Sequence, residues 1–253
     1  MRVVLIGSGN VASVLGRLIG RKGHELVQVV SRNADHARIL ANEMGCDFTD
    51  SAAQINRSAE FYIMAVSDYA LYEISNQYHL DRSLVVHTSG AIPIDILKTV
   101  SFNYGVLYPL QSLLKTVETA PDIPILTDGN TPETRTIISD FARTLSGNIA
   151  PASDEERLKL HVAAVILNNF TNHLYTLAEE FCRKEKVDFT LLFPLIEETA
   201  SRMSRHSPSN MQTGPALRND QMTLDKHLRL LSGYPGLKDL YTKFTKSIIS
   251  RHS

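Results

Sequence analysis

The stretch Arg2-Val3-Val4-Leu5-Ile6-Gly7-Ser8-Gly9-Asn10-Val11-Ala12 joins an apolar strand to a helix through a Gly-x-Gly-x-x-Ala turn. The small residues carry distinct steric demands. Gly7 permits the tight turn, Gly9 lets the backbone approach a pyrophosphate, and Ala12 allows the helix to lie close on the sheet. Ser8, Asn10 and Val11 place their backbone at the start of that helix, where free amides face an anion. An amphipathic helix over 10–21, then Gly23 and the strand Leu26-Val27-Gln28-Val29-Val30, complete the βαβ unit that the motif requires. Roughly twenty residues past the glycines, an NAD site usually carries Asp or Glu on the ribose 2′-hydroxyl. Here that strand runs into Ser31-Arg32-Asn33. Ser31 and Arg32 are therefore read as a 2′-phosphate pocket and the cofactor as NADP. Asn33 also reads as the N-cap of a helix over 34–44, which is compatible with that pocket.

The bulk numbers fit an ordinary folded protein. At 253 residues, 43% hydrophobic and 21% charged, the chain can build two cores, and disordered and fibrous classes are excluded. A net charge of −1 provides no broad field for nucleic acid or membrane, so neither is expected as a partner. Cys46 and Cys182 lack metal-ligand spacing, and no metal is expected. With no leader ahead of the first strand, a reducing, cytoplasmic setting is expected. Asn168, Asn169, Asn172 and His173 argue against a membrane span in the apolar stretch 160–178.

Short β-rich runs at 3–6, 26–30, 61–66, 84–87, 106–108 and 123–126 alternate with helical segments, which predicts an α/β, doubly wound Rossmann domain. Thr131 reads as an N-cap with Pro132 at the first helical position, and a strand at 148–150 closes the domain. The expected division is residues 1–150 for NADP binding and 151–253 for an all-helical substrate and dimerisation domain. Ser153 and Glu156 form a capping-box pattern that launches a helix reaching about residue 184.

That helix carries no Asp, Glu, Lys or Arg from 160 to 178, which predicts burial on nearly every side. On an ideal α-helix His161, Val165, Asn168 and Asn172 share a polar face, with Asn169 at its edge. Buried amides and imidazoles need partners, which leaves two readings open: structural pairing at a subunit interface, or the lining of a ligand cleft. A homodimer through the helical domain is expected.

A Rossmann domain followed by helices resembles the 6-phosphogluconate dehydrogenase-like superfamily. More closely, the chain is similar to NADP oxidoreductases whose N-terminal half is like deazaflavin-dependent NADP reductase and whose C-terminal half is a domain of unknown function. The matching phrases are Val86-His87-Thr88-Ser89-Gly90-Ala91, Tyr108-Pro109-Leu110-Gln111-Ser112, the 161–169 segment and Thr213-Gly214-Pro215-Ala216-Leu217-Arg218-Asn219-Asp220. In β-hydroxyacid dehydrogenases of the superfamily, a lysine one turn before an asparagine donates the proton. Aligned on Asn168-Asn169, that position holds Val165. His161, one turn upstream, is the titratable group left on that face.

Ligands of doubly wound sheets bind at the carboxyl ends of the strands, where Val66-Ser67-Asp68 and Thr88-Ser89-Gly90 fall. The resemblance places Val66 and Ser67 near the cofactor and Ser89 near hydride transfer. Asp68 also reads as the N-cap of a helix starting at Tyr69, and Arg218 with Asp220 as either a substrate anchor or an internal pair. The leading expectation is an NADP-dependent oxidoreductase acting on a small carbonyl, imine or alcohol in a cleft between the domains. His161 would handle the proton, and Asn168, Asn169 and Ser89 would position the substrate. The alternative class is a non-catalytic NADP-binding regulatory protein, favoured by the missing lysine.

Overall fold

Eight strands form one sheet: β1 Arg2–Ile6, β2 Glu25–Val30, β3 Asp47–Thr49, β4 Phe61–Met64, β5 Asp81–His87, β6 Ser101–Pro109, β7 Ile125–Gly129 and β8 Ile149–Pro151. The computed structural model describes residues 1–116 and 122–252. The strand order is β3-β2-β1-β4-β5-β6-β7-β8. Neighbours pair in parallel except β6 with β7, which run antiparallel from Gly105 opposite Gly129 to Pro109 opposite Ile125. The order reverses between β1 and β4, and this switch point opens a crevice at the carboxyl ends of the strands.

The helices are α1 Asn10–Arg21, α2 Ala34–Met44, α3 Asp68–Ile74, α4 Pro132–Leu145, α5 Asp154–Ala164, α6 Thr171–Glu185, α7 Phe193–Met203, α8 Gln221–Leu230 and α9 Pro235–His252. Alternating strand residues feed two cores. Val3, Leu5, Phe61 and Ile63 pack with α1, α2 and α4, while Val4, Ile6, Tyr62 and Met64 pack with α3. Burial on both faces explains why these strands read as continuous apolar runs. The caps follow the sequence: Asn33 accepts from the His36 amide, Thr131 from the Thr134 amide, and Ser153 with Glu156 closes a reciprocal capping box.

Several expectations need correction. Strand β3 is read from sequence as part of a connection, and β6 begins five residues earlier than its apolar run. Ser67, rather than Asp68, caps α3, and its hydroxyl accepts from the Ala70 amide at 3.3 Å. Asp220 caps α8 through the Thr223 amide and hydroxyl, with Arg218 contributing only a more distant charge.

The long helix is interrupted. Val165–Phe170 forms a π-helical turn between α5 and α6. A wider turn breaks the 100° phase, so the face computed for a continuous α-helix stops being a guide at Val165. The expected burial of 160–178 is likewise not met within the single chain. Val162, Ile166, Leu167 and Phe170 are all more than half exposed, and Leu167 reaches 74%.

The chain divides into two compact units, Met1–Phe170 and Thr171–Ser253. The first holds the sheet, α1–α5 and the π turn. The second holds α6–α9, where Phe181 meets Tyr234 edge-on and Tyr234 donates to Glu185. Among the described residues no helix is long and apolar enough to cross a membrane, and no group of three His, Cys, Asp or Glu side chains could hold a metal ion.

Candidate cofactor and active site

Gly7 sits at φ +124°, and a Cβ there would come 2.1 Å from the Ala65 carbonyl oxygen, so the turn from β1 admits only glycine. Gly9 is different. Nothing lies within 4 Å of the Cβ it lacks, and it is the N-cap of α1 with no side chain capping the first turn. Uncapped amides beside open space are what an anion site requires.

The open space belongs to a cavity of about 450 Å³ lined by Gly7, Ser8, Gly9, Asn10, Val11, Ser31, Arg32, Val66 and Ser67. All nine cofactor positions expected from sequence thus meet in one place. The Ser8 and Ser31 hydroxyls hydrogen-bond to each other at 2.8 Å, tying the β1 turn to the end of β2. Arg32 is mostly exposed and pairs with Glu73 of α3 at 3.2 Å. Among the described residues its guanidinium is held by this surface contact alone, which costs little to exchange. Sequence reading missed His36 and Asp50 on the same wall. His36 lies in the first turn of α2, just past the Ser31–Asn33 segment, and that proximity was the available signal.

A second cavity, of about 550 Å³, brings together Tyr108, Gln111, Ser112, His161, Asn168 and Asn169. The π turn presents both asparagines to it, while Asn172 does not line it. Tyr108 rises at the carboxyl end of β6, and its hydroxyl lies 3.0 Å from His161 Nδ1, with the rings edge-on. Gly90 makes room for the pair, because a Cβ there would approach Tyr108 Cζ and His161 Cγ to 2.8 Å.

Ser89 does not line that cavity. It is buried, and its hydroxyl accepts from the Ala91 and Ile92 amides. Its carbonyl accepts from Arg157 Nε, and Arg157 also donates to the Ile92 carbonyl and to Asp154. Arg157 is fully buried, and its Nη1 finds no partner among the described residues. Sequence reading passed over it, although it lies one turn before His161 and is the last charge on that face.

His87 is also fully buried, with Nδ1 accepting from the Ser89 amide. Burial first, and the charge of Arg157 second, push its pKa down to about 3. It is therefore neutral near pH 7 and a poor acid. His161 is only half-buried.

Residues adjoining the two cavities interact. The charge of Asp68, next to Ser67 of the first cavity, acts on the Tyr108 hydroxyl in the second. The Lys115 amide, beyond Gln111 and Ser112, donates to the Asn10 side chain at 3.2 Å.

Comparison with known proteins fits this geometry. Residues 2–90 match the family described as NADP oxidoreductase, coenzyme F420-dependent, and residues 123–248 match a domain of unknown function, DUF2520. A Bacteroides fragilis protein described as an NADP oxidoreductase shares 37% identity over 98% of both chains, with a TM-score of 0.93. A Thermotoga maritima protein shares 23% identity over 97% of both, with a TM-score of 0.79. The reductive aminase of Aspergillus terreus, solved with NADPH and ethyl-5-oxohexanoate, shares 16% identity over 97% of this chain and 94% of its own, with a TM-score of 0.70. No curated protein matches the chain.

Proposed function

The chain belongs to the NADP oxidoreductase family in which a domain of the F420-dependent type precedes a domain of unknown function, and from that premise we propose that it reduces a small carbonyl or imine, or oxidises the matching alcohol, at Tyr108, His161, Asn168 and Asn169. NADP is the cofactor, and its nicotinamide supplies or takes up the hydride. The observation that carries the reading is the presence of two cavities, one lined by the Gly7–Val11 turn with Ser31 and Arg32 and the other by a histidine and two amides.

Each group has a definable task. Amides of the Gly7 to Val11 turn hold the pyrophosphate, Ser31 and Arg32 take the 2′-phosphate, and Val66 and Ser67 border the nicotinamide half. His161 exchanges the proton, while Asn168 and Asn169 orient the reacting heteroatom. Ser89 acts through its backbone, fixing the turn that leaves Gly90 against Tyr108 and His161. The test is oxidation of NADPH across a panel of small ketones, aldehydes and cyclic imines. Turnover of none would defeat the proposal.

Arg32→Ala should weaken NADPH by about 10- to 150-fold, the equivalent of 1.5 to 3 kcal/mol for hydrogen bonds to a charged group. NADH, which lacks the phosphate, should change little. Calorimetric titration of both cofactors decides the matter, and equal losses would remove Arg32 from the phosphate site.

We further propose a homodimer through the apolar, uncharged surface of residues 160–178. An exposed set that includes Ile166, Leu167 and Phe170 calls for cover, and a second copy supplies the same uncharged surface. Light scattering at micromolar concentration should give the mass of two chains, and Leu167→Asp should shift it to one. A monomeric wild-type protein would refute the interface.

A further inference from the structure

We propose that Tyr108 is the residue that hands the proton to the substrate heteroatom, with His161 behind it as the group that restores that proton. The proposal rests on the reductase reading above and deepens it. Among the described residues lining the second cavity, Tyr108 and His161 alone have side chains that titrate. They are in contact, Tyr108 Oη to His161 Nδ1 at 3.0 Å, with ring centroids 6.0 Å apart and planes at 78°.

The surroundings fix this contact. Gly90 abuts both rings, so neither can turn toward the Ser89–Ile92 loop, and Arg157 locks that loop through the Ser89 and Ile92 carbonyls. Burial raises the Tyr108 pKa, the nearby Arg157 charge opposes that rise, and Asp68 adds to it. A phenol with a raised pKa stays protonated at neutral pH and serves as a donor. His161 is only half-buried, so its ring can exchange protons with water.

The balance is simple. Hydride addition to the carbon of C=X leaves an electron pair on X. The Tyr108 O–H bond breaks and an X–H bond forms, leaving a phenolate. Imidazolium His161 then passes its Nδ1 proton to that phenolate and regains one from water. One solvent proton is consumed per hydride delivered.

The test uses the full-length protein with NADPH and the cyclic imine 2-methyl-1-pyrroline or the ketone ethyl 5-oxohexanoate. Tyr108→Phe should lower kcat by about 10²- to 10³-fold and leave NADPH affinity unchanged. The double variant with His161→Asn should fall no further than the more impaired of the two single variants, as expected of two residues acting in one relay. A readout independent of turnover is ¹⁵N NMR of histidine-labelled protein, in which Tyr108→Phe should move the His161 Nδ1 resonance. The relay is overturned by near-normal turnover of Tyr108→Phe, by losses that multiply in the double variant, or by an unmoved Nδ1 signal. Wild-type protein that turns over neither these compounds nor any other ketone, aldehyde or cyclic imine of the panel would instead overturn the reductase reading, and the relay with it.

Discussion

Gly9→Val should abolish measurable NADPH binding and leave the fold intact. The expectation follows from the contrast between the two glycines of the β1 turn. At Gly9 the added carbons would enter empty space, since nothing lies within 4 Å of the Cβ position. In the proposed site that space, along the uncapped start of α1, is the path of the pyrophosphate. Displacing the phosphates costs several charge-assisted hydrogen bonds at about 1.5 to 3 kcal/mol each, or about 10-fold or more in affinity per bond. Circular dichroism should be unchanged while calorimetry shows no binding heat. Gly7 is the foil: its missing Cβ would strike the Ala65 carbonyl at 2.1 Å, so substitution there damages the turn itself. Retained NADPH affinity in Gly9→Val would place the dinucleotide elsewhere.

His161→Asn should lower kcat by about 10²- to 10⁴-fold, the usual worth of a positioned acid or base, with NADPH affinity preserved. Two histidines stand near the Ser89–Gly90 turn, and their environments assign the task. His87 is sealed in the core and neutral down to about pH 3, whereas His161 faces the cavity beside Tyr108. Asparagine retains a polar side chain but cannot carry a proton. A kcat within about threefold of wild type, well short of the general acid–base range, would leave His161 as a packing partner of Tyr108.

Much of the lining of the candidate cofactor cavity was legible because its determinants are local. The turn from Gly7 to Val11 and the end of β2 at Ser31 and Arg32 each declare themselves within a few residues. Strand β3, three residues long with Asp47 and Thr49, is too short and polar to register against its surroundings. Strand β6 was truncated because Asn103, Tyr104 and Gly105 dilute its apolar pattern. The contact between Tyr108 and His161 was beyond reach, since the two lie 53 residues apart and nothing local announces their meeting. The π turn was equally silent, because it alters the hydrogen-bond span without altering composition. The uncharged segment 160–178 reads as a surface that needs cover beyond what the following residues supply, and in the single chain Val162, Ile166, Leu167 and Phe170 are indeed exposed. Composition says that a surface is apolar, not what shields it.

The buried Arg157 bears on how much of the chain must be present for the sheet unit to be self-sufficient. A fragment cut after Pro151 would keep all eight strands yet lose the side chain that satisfies the Ser89 and Ile92 carbonyls. Each buried carbonyl left without a donor costs about 1 to 3 kcal/mol, a large share of the stability of a typical domain. The loop beneath Tyr108 therefore has its keystone more than sixty positions downstream in the chain. A dissected Rossmann half would keep the Gly7–Val11 turn while the Ser89–Ile92 loop stayed unmoulded, and a useful truncation must extend through α5.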